Sequence, residues 1–280
     1  MKIIQITDPH LVAPGGRLYD LDPAARLARC IESIAAEHGD AALCVVTGDL
    51  ADRGTPEAYA LLREILRPLP MPVRLLLGNH DDRSAFRAVF PEVQVDPAGF
   101  VQSVLDVPAA RLLFLDTLER GAHGAGVLCP ARLGWIAARL AEVPGRPVYV
   151  FMHHPPRSIG VRHFRRMLLA APDDFLDLVH RHGSVRHLFF GHVHLPVSGR
   201  WGPFSFSAMR GTCQHIDLEL DDPDVAFAEG SPSYGVILLE GEDVIVHLRD
   251  FLAPEPRFDA MTGRRLKAPA VSNLARAILS

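Results

Sequence analysis

The stretch LFFGHVHLPV, residues 188–197, joins an apolar run to two histidines, His192 and His194, that are separated by one residue. If the run is a β-strand, side chains at positions i and i+2 leave on the same face. The two imidazoles would then stand side by side at a strand end. The pair alone is compatible with one metal ion, two metal ions, a catalytic acid or no function, so its meaning depends on the rest of the chain.

The bulk properties describe a well-packed chain with no strong charge bias. Its 280 residues are 48% hydrophobic, the mean hydropathy is +0.12 and the formal net charge is −4. This balance does not favour a nucleic-acid surface, so we expect no nucleic-acid partner. The N-terminal apolar run is too short for a signal peptide or a membrane span, which predicts a cytoplasmic protein with no membrane partner. The four cysteines form no CxxC pair, which is typical of reduced thiols and excludes a zinc ribbon.

Strand and helix patterns alternate through the first two hundred residues. The predicted strands are Ile3–Thr7, Leu43–Thr47, Val73–Leu77, Arg111–Leu115, Pro147–Met152 and His187–Phe190. The predicted helices are Pro23–Glu37, Thr55–Leu66, Leu133–Leu140 and Asp173–His182. This alternation indicates an α/β fold whose sheets are covered by helices.

The character of the chain changes after residue 203. The segments PFSFSAM, SYGVILLEG and VIVHLRDFL predict a set of strands, two of them joined by a Gly-Glu-Asp turn. We therefore expect one domain over residues 1–252 with a C-terminal strand set. Residues 253–280 contain Pro254, Pro256 and Pro269 and are predicted to be an appended tail, a candidate dimer arm of a homodimer or higher homo-oligomer.

Five of the strands end in residues that can bind a metal ion. These are Asp8 with His10, then Asp49, then Asn79 with His80 and Asp81, then His153 with His154, and finally His192 with His194. Each cluster is weak evidence alone, since a histidine near a strand usually satisfies a backbone hydrogen bond. In an α/β fold, however, sites assemble at the carboxyl ends of strands, so all five should converge. Burying so many ionisable groups without a compensating cation would be costly.

The donor types restrict the chemistry. Carboxylate, amide and imidazole donors without a thiolate suit Mn, Fe, Zn or Co. One ion cannot use so many candidate ligands, but two ions that share a carboxylate would use seven of them. Two metals about 3.5–4 Å apart are the usual device for hydrolysing phosphate esters with a metal-bridging hydroxide.

The ordered motifs resemble those of a known superfamily. D-x-H at 8–10, G-D at 48–49, G-N-H-D at 78–81, H-H-P-P at 153–156 and G-H-x-H at 191–194 resemble the calcineurin-like metallophosphoesterases. Within them the chain is similar to the branch of class III cyclic-nucleotide phosphodiesterases and glycerophosphodiesterases. The resemblance implies a four-layer αββα sandwich, here with a C-terminal strand set, and a site at the top of the central sheets.

The resemblance also implies a role for each matched position. The first metal would take Asp8, His10 and His194, the second Asn79, His153 and His192, with Asp49 bridging. His80 would contact the scissile phosphate and protonate the leaving oxygen, oriented by Asp52 or Asp81. His154 would not be a ligand but would make a structural hydrogen bond. His215 is a further candidate for substrate contact.

Departures from other branches narrow the function. Asp52 stands where purple acid phosphatases have Tyr, and GNHDD replaces the GNHE of protein serine/threonine phosphatases. We therefore expect two-metal hydrolysis of small phosphodiesters, namely 3′,5′-cyclic nucleotides or glycerophosphodiesters. A phosphomonoesterase or a nucleotide pyrophosphatase shares the same metals and stays an alternative. A non-catalytic scaffold is disfavoured because every matched ligand position is filled. The sequence does not decide whether the arginine-rich segment 157–166 is a substrate lid or a solvated loop.

Overall fold

The computed structural model describes residues 1–252 and 258–266, which fold around two large sheets. The first sheet has the order β13-β12-β1-β2-β3 and the second the order β4-β5-β6-β7-β9-β8. The strands of the first sheet are β1 (Lys2–Ile6), β2 (Leu43–Thr47), β3 (Val73–Leu76), β12 (Ser233–Glu240) and β13 (Asp243–Asp250). Those of the second are β4 (Ser103–Val107), β5 (Ala110–Phe114), β6 (Val148–Phe151), β7 (Val185–Phe189), β8 (Val197–Trp201) and β9 (Phe204–Ala208). A small third sheet pairs β10 (His215–Ile216) with β11 (Phe227–Ala228).

Most of the helices connect consecutive parallel strands, and one leads from the first sheet to the second. They are α1 (Pro23–Glu37), α2 (Pro56–Leu66), α3 (Arg83–Val89), α4 (Pro130–Ala141) and α5 (Asp173–His182). Three begin at a proline, whose fixed φ suits the first turn and whose missing N–H costs nothing there. The side chains of Asp22 and Thr55 accept a hydrogen bond from the first turns of α1 and α2 and so fix where these helices start.

Three hydrophobic clusters separate four layers. Leu27 and Ile31 of α1 pack with Ile4 and Val46 of the first sheet. Ile3 and Val45 pack between the sheets against the rings of Phe114 and Phe151 of the second sheet. Ile136 and Phe175 of α4 and α5 cover the outer face of the second sheet. The order is therefore helix, sheet, sheet, helix, which confirms the predicted αββα sandwich.

The C-terminal strands complete both sheets. β9 joins β7 in parallel in the second sheet, while β12 pairs antiparallel with β1 at the heart of the first. β12 and β13 form a hairpin around Gly241, close to the predicted Gly-Glu-Asp turn. The proposed dimer arm falls mostly outside the described residues, which within it are 258–266 alone. In the part of the chain that the structure describes, every helix is too short or too polar to cross a bilayer.

The six strands predicted in the first two hundred residues are present and differ only at their ends, whereas α3, β4, β8, β10, β11 and a 3₁₀ turn at 163–166 were not predicted. Helix α3 has a single buried residue, Phe86, so it lacks an apolar period. Strand β4 is only partly buried and β8 is largely exposed, which removes the apolar run that marks a strand. The predicted helix at 133–140 begins earlier, at Pro130.

Candidate metal centre

The polar strand ends meet where the two sheets approach each other. The strands β1, β2 and β3 run parallel, as do β5, β6 and β7, so their carboxyl ends lie at one edge of each sheet. Hydrogen bonds cross between the sheets at this edge. The backbone N–H of His192 donates to the Asp8 carboxylate at 3.1 Å, and the His153 Nδ1 donates to the Thr47 carbonyl at 2.7 Å.

Five of the predicted ligands have a left-handed backbone, with φ values of 51° at Asp8, 45° at His10, 48° at Asp49, 70° at His192 and 50° at His194. Non-glycine residues rarely adopt this conformation, and it persists only where the surrounding structure enforces it. Strand β7 ends at Phe189, so His192 and His194 are beyond the strand. Two left-handed backbone positions therefore set the orientations of these side chains, rather than strand alternation, which corrects the argument made from the sequence.

Two glycines allow the backbone to approach the carboxylates. A Cβ at Gly78 would overlap Asp49 Oδ1, and a Cβ at Gly191 would overlap Thr7 Oγ1. The first lies directly before Asn79 and the second directly before His192. The glycines of the G-N-H-D and G-H-x-H motifs are therefore required by contact with the neighbouring strand end.

The first cluster contains Asp8, His10, Asp49 and His194, all buried and close enough to hold one ion. The Nε2 atom of His10 lies 3.2 Å from His194 Nε2 and 3.6 Å from Asp49 Oδ2. The Nε2 atom of His194 is also 3.5 Å from Asp8 Oδ1. On its other side, His194 Nδ1 donates to the carbonyl of Gln214 at 3.0 Å, so its Nε2 presents a lone pair to the cluster.

The second cluster surrounds His153. Its Nδ1 donates to the Thr47 carbonyl, which leaves Nε2 facing Asp49 Oδ2 at 3.3 Å and Asn79 Oδ1 at 3.3 Å. The ring of His192 lies 5.1 Å from that of His153, and its buried Nε2 has no hydrogen-bond partner among the described residues. Asp49 contacts both clusters, as a ligand shared by two ions would have to.

The buried residues of both clusters are suited to a metal cation. Neutral imidazoles, carboxylate oxygens and an amide oxygen converge within them, and without a metal the Asp49 carboxylate holds a proton on His153. A buried polar atom without a partner costs about 1–3 kcal/mol, and here several are gathered. A positive ion between them satisfies the lone pairs at once, and the donor set is that of Mn, Fe, Zn or Co.

The pKa values of the residues in both clusters reflect their burial and the charges of their neighbours. Burial lowers the pKa of His153, but the charge and hydrogen bond of Asp49 outweigh it and raise the pKa to about 9. For Asp49, burial opposes ionisation, yet the charges of His153, His10 and His80 hold its pKa well below the ordinary value. Burial lowers the pKa values of His192 and His194, whose imidazoles therefore stay neutral and able to bind a metal.

His80 is at the exposed rim of the cluster. Its ring centroid is 4.6 Å from that of His10, and its side chain is 40% exposed. His80 Nδ1 donates to the backbone carbonyl of Asp52 at 2.9 Å, and the Asp52 carboxylate lies 3.8 Å from the same atom. That carboxylate also lies 3.5 Å from His10 Nδ1, and the hydrogen bond to His10 is the main cause that lowers the pKa of Asp52.

Of the two carboxylates considered as partners of His80, Asp81 is engaged elsewhere. It accepts from the backbone N–H groups of Leu50, Ala51 and Gly78 and from the hydroxyl of Tyr59. Burial and the nearby Asp49 raise the pKa of Asp81 to about 6. Asp81 thus ties the loop after β2 to the loop after β3, whereas Asp52 is the carboxylate beside His80.

His154 lies closer to the site than the sequence suggested. Its Nδ1 shares a 2.7 Å hydrogen bond with the Thr117 hydroxyl, as expected of a structural histidine. It nevertheless lies near enough to His153 and His192 for the three to hold an ion. Burial lowers its pKa well below the ordinary value, so the ring is neutral.

The outer candidates lie at the periphery. His215 is in β10, where its Nε2 is 3.6 Å from Asp217 and its ring packs against Gly230. Next to it, Tyr19 and Phe227 stack with ring centroids 4.8 Å apart, and Phe227 lies 6.1 Å from His194. Sequence patterns did not mark Phe227, because an isolated aromatic residue in a two-residue strand has no periodic signal.

The arginine-rich segment has two different faces. Phe164 is buried, and its ring centroid is 5.8 Å from that of His192. Arg162, Arg165 and Arg166 are exposed around the 3₁₀ turn His163–Arg166. The segment therefore covers the second cluster with an apolar ring and presents its charges to solvent.

Comparison with known proteins agrees with this geometry. The sequence profile described as "Calcineurin-like phosphoesterase" matches residues 1–196. The chain belongs to the calcineurin-like phosphoesterase family. The matched region includes all five polar strand ends.

Two curated relatives and one solved structure are similar over most of their length. A Rhodopseudomonas palustris protein named "Probable cyclic nucleotide phosphodiesterase" is 39% identical over 261 residues, which are 92% of this chain and 95% of the relative. The glycerophosphodiester phosphodiesterase GpdQ of Enterobacter lignolyticus is 32% identical over 83% of this chain and 85% of its own. The crystal structure of a dimetal phosphatase from Danio rerio aligns with a TM-score of 0.69 at 16% identity, covering 90% of this chain and 96% of its own. This last likeness concerns the fold.

Proposed function

We propose that the chain is a metal-dependent phosphodiesterase that hydrolyses small phosphodiesters, such as 3′,5′-cyclic nucleotides or glycerophosphodiesters. The observation that carries the proposal is the gathering of buried lone pairs around Asp49, which lies 3.6 Å from His10 and 3.3 Å from His153. Asp8, His10 and His194 would hold one ion, Asn79, His153 and His192 the other, and Asp49 both. Two such ions supply the Lewis acidity that neutralises phosphate oxygens and activates the attacking water.

The protein's own residues prepare the site for this chemistry. The Thr47 and Gln214 carbonyls fix the tautomers of His153 and His194, so that both rings present Nε2 without reorganisation. The backbone N–H of His80 donates to Asp49 Oδ1 at 2.9 Å and holds the shared carboxylate in place. The site is thus assembled before substrate arrives.

His80 would act on the leaving group. Because Nδ1 donates to the Asp52 carbonyl, Nε2 is the ring atom left for the substrate. A protonated Nε2 would give its proton to the departing oxygen, and the Asp52 carboxylate would stabilise the charged ring. Asp49 and His80 are therefore the residues that we place nearest to the reacting atoms.

The similarity to relatives named for cyclic nucleotides and for glycerophosphodiesters supports a small diester as the substrate and partner. The monoesterase and pyrophosphatase alternatives would use the same ions, so the metal ligands do not separate them. The assignment of the individual metal ligands, the cytoplasmic location, the lack of a nucleic-acid partner and the oligomeric state remain predictions from the sequence.

A substrate panel tests the proposal. Purified protein loaded in turn with Mn, Fe, Zn or Co is assayed on 3′,5′-cyclic AMP, glycerophosphocholine, an aryl phosphodiester and the matching aryl phosphomonoester. We expect kcat/KM for at least one natural diester to exceed that for the monoester. Faster hydrolysis of the monoester under every metal would contradict the proposal.

A further inference from the structure

A cavity separate from the metal centre opens at the free edge of the sandwich. Its volume is about 390 Å³, and it lies where the edge strand β3 of the first sheet meets the residues that lead into β4 of the second. Its apolar walls include Leu66, Phe90, Val93, Val101 and Phe114. Small-molecule sites in proteins have volumes of roughly 300–1,000 Å³ and mostly apolar walls with a few polar groups.

The polar group that distinguishes this cavity is Arg74. It pairs with Val45 in the ladder between β2 and β3, and Val45 belongs to the cluster between the two sheets. Paired residues of neighbouring strands share a face, so the Arg74 side chain enters the space between the sheets. Inward neighbours on these strands, such as Leu76, are apolar. Arg74 therefore places a charged group among positions that are otherwise apolar.

The charge of Arg74 is not matched by the protein. Its Nε is buried and makes no hydrogen bond, and no carboxylate within residues 1–252 and 258–266 pairs with its guanidinium. Burial lowers its pKa, with no acid to oppose the shift. The other arginines of the cavity are paired: Arg63 with Glu92 at 2.9 Å and Arg67 with Glu64 at 3.4 Å. The lining thus keeps one unmatched positive charge beside apolar walls.

We propose that this cavity binds a small amphipathic carboxylate, a short- or medium-chain fatty acid, with its head group on Arg74 and its chain against Phe90, Val93 and Phe114. A carboxylate satisfies the fork of a guanidinium with two hydrogen bonds, and the half-buried Arg74 lies beside apolar walls. A single-charged acid matches the single unmatched charge, and the alkyl chain matches the walls. The site is remote from the metal ligands, so it does not depend on the proposed function.

Isothermal titration calorimetry of the full chain with octanoate tests the proposal, with 1-octanol and octylammonium as probes of the same chain length. We expect one octanoate per chain and at least tenfold weaker binding of the alcohol and the amine. Arg74→Gln should weaken octanoate binding at least tenfold, whereas Arg74→Lys, which keeps the charge but not the fork, should give an affinity between those of the wild type and Arg74→Gln. Val93→Trp, which fills the mouth of the cavity, should also abolish binding.

The matched control is Arg200→Gln, which removes an exposed arginine from β8 at the opposite edge of the second sheet. It should bind octanoate like the wild type. Thermal unfolding of each variant verifies the fold, and if Arg74→Gln does not fold, Val93→Trp decides the question. Equal binding by wild type and Val93→Trp, or equal affinity for octanol and octanoate, would overturn the proposal. Absence of octanoate binding by the wild type would also overturn it. If Arg74→Gln then differs from the wild type in oligomeric state, a second copy of the chain covers the cavity instead.

Discussion

The Nε2 atoms of His10 and His194 face each other at 3.2 Å inside the first cluster. The Nδ1 of His194 already donates to Gln214, so its Nε2 carries a lone pair, and Asp8 Oδ1 lies a further 3.5 Å away. Such a contact is unfavourable unless a proton or a cation lies between the atoms. Because carboxylates surround both rings, we attribute the arrangement to a metal site.

His192 and His194 should serve different ions. His194 contacts the cluster of Asp8 and His10, whereas the ring of His192 lies beside that of His153. We expect His194→Ala and His192→Ala each to lower the metal content by about one ion per chain and to leave different spectroscopic signatures in cobalt-loaded protein. His247→Ala, at an exposed position of β13, is the control and should keep the full metal content. Identical spectra for the two site variants would contradict the assignment.

His80→Ala should slow esters with poor leaving groups much more than activated aryl esters. A proton donor contributes typically 10²–10⁴-fold, and only where the leaving oxygen needs the proton. The measurement is kcat for a series of diesters of rising leaving-group pKa. Asp52→Asn removes the carboxylate that lies 3.8 Å from His80 Nδ1 and should steepen the same dependence to a smaller extent. Equal losses for all leaving groups would exclude a proton-donor role.

Tyr59→Phe should destabilise the fold by about 1–3 kcal/mol, the cost of leaving buried hydrogen-bond partners unsatisfied. The fully buried Tyr59 hydroxyl donates to Asp81 at 2.9 Å and accepts from the backbone N–H of Asp82 at 2.8 Å. Urea denaturation measures the change. Tyr19→Phe, at a ring that is 57% exposed, is the control and should change stability by less than about 0.5 kcal/mol. If Tyr59→Phe left the free energy of unfolding unchanged, Asp81 would not need this hydrogen-bond donor.

His187 should make stability dependent on acid pH. Burial lowers the pKa of His187 to about 3, below its ordinary 6.5. Its ring nitrogens are hydrogen-bonded to the hydroxyls of Ser205 and Ser207. The unfolded chain therefore binds the proton more tightly than the folded one. Stability from this residue is complete above pH 6.5 and is lost as the pH falls toward 3, by up to about 1.4 kcal/mol per pH unit.

The check on His187 compares unfolding free energies of the wild type and His187→Gln between pH 5 and pH 8. We expect their difference to be constant above pH 6.5 and to shift in favour of the variant below it. His180→Gln, on the exposed side of α5, should follow the wild type throughout. A difference that does not change with pH would mean that His187 titrates normally.

The sequence was sufficient for the fold class and for the convergence of the strand ends. Apolar runs such as Leu43–Thr47 are buried on both faces and end in polar motifs, so their position and type could be predicted. Elements with little burial could not, as α3 and β8 show. The antiparallel insertion of β12 beside β1 also has no local signal, since it depends on contacts between residues more than two hundred positions apart.

For the site, residue types were predictable but the geometry was not. The left-handed conformations at His192 and His194 arise from tertiary packing, so the strand alternation used to place them was the wrong reason for a useful expectation. The choice between Asp52 and Asp81 as the carboxylate near His80 also needed coordinates. Asp52 follows the G-D motif and Asp81 ends the G-N-H-D motif, but only the structure shows that Asp81 accepts hydrogen bonds from three backbone N–H groups and Tyr59.

The most direct test of the two-metal account is the metal content of the protein measured together with its turnover of an aryl phosphodiester. Chelator-treated protein is titrated with Mn, and bound metal is determined by mass spectrometry at each step for the wild type, Asp49→Ala and the control His247→Ala. The account predicts that activity appears only as the wild type and the control approach two ions per chain. Asp49→Ala should bind fewer ions and lose nearly all turnover. Full activity in metal-free protein, or in Asp49→Ala, would contradict it.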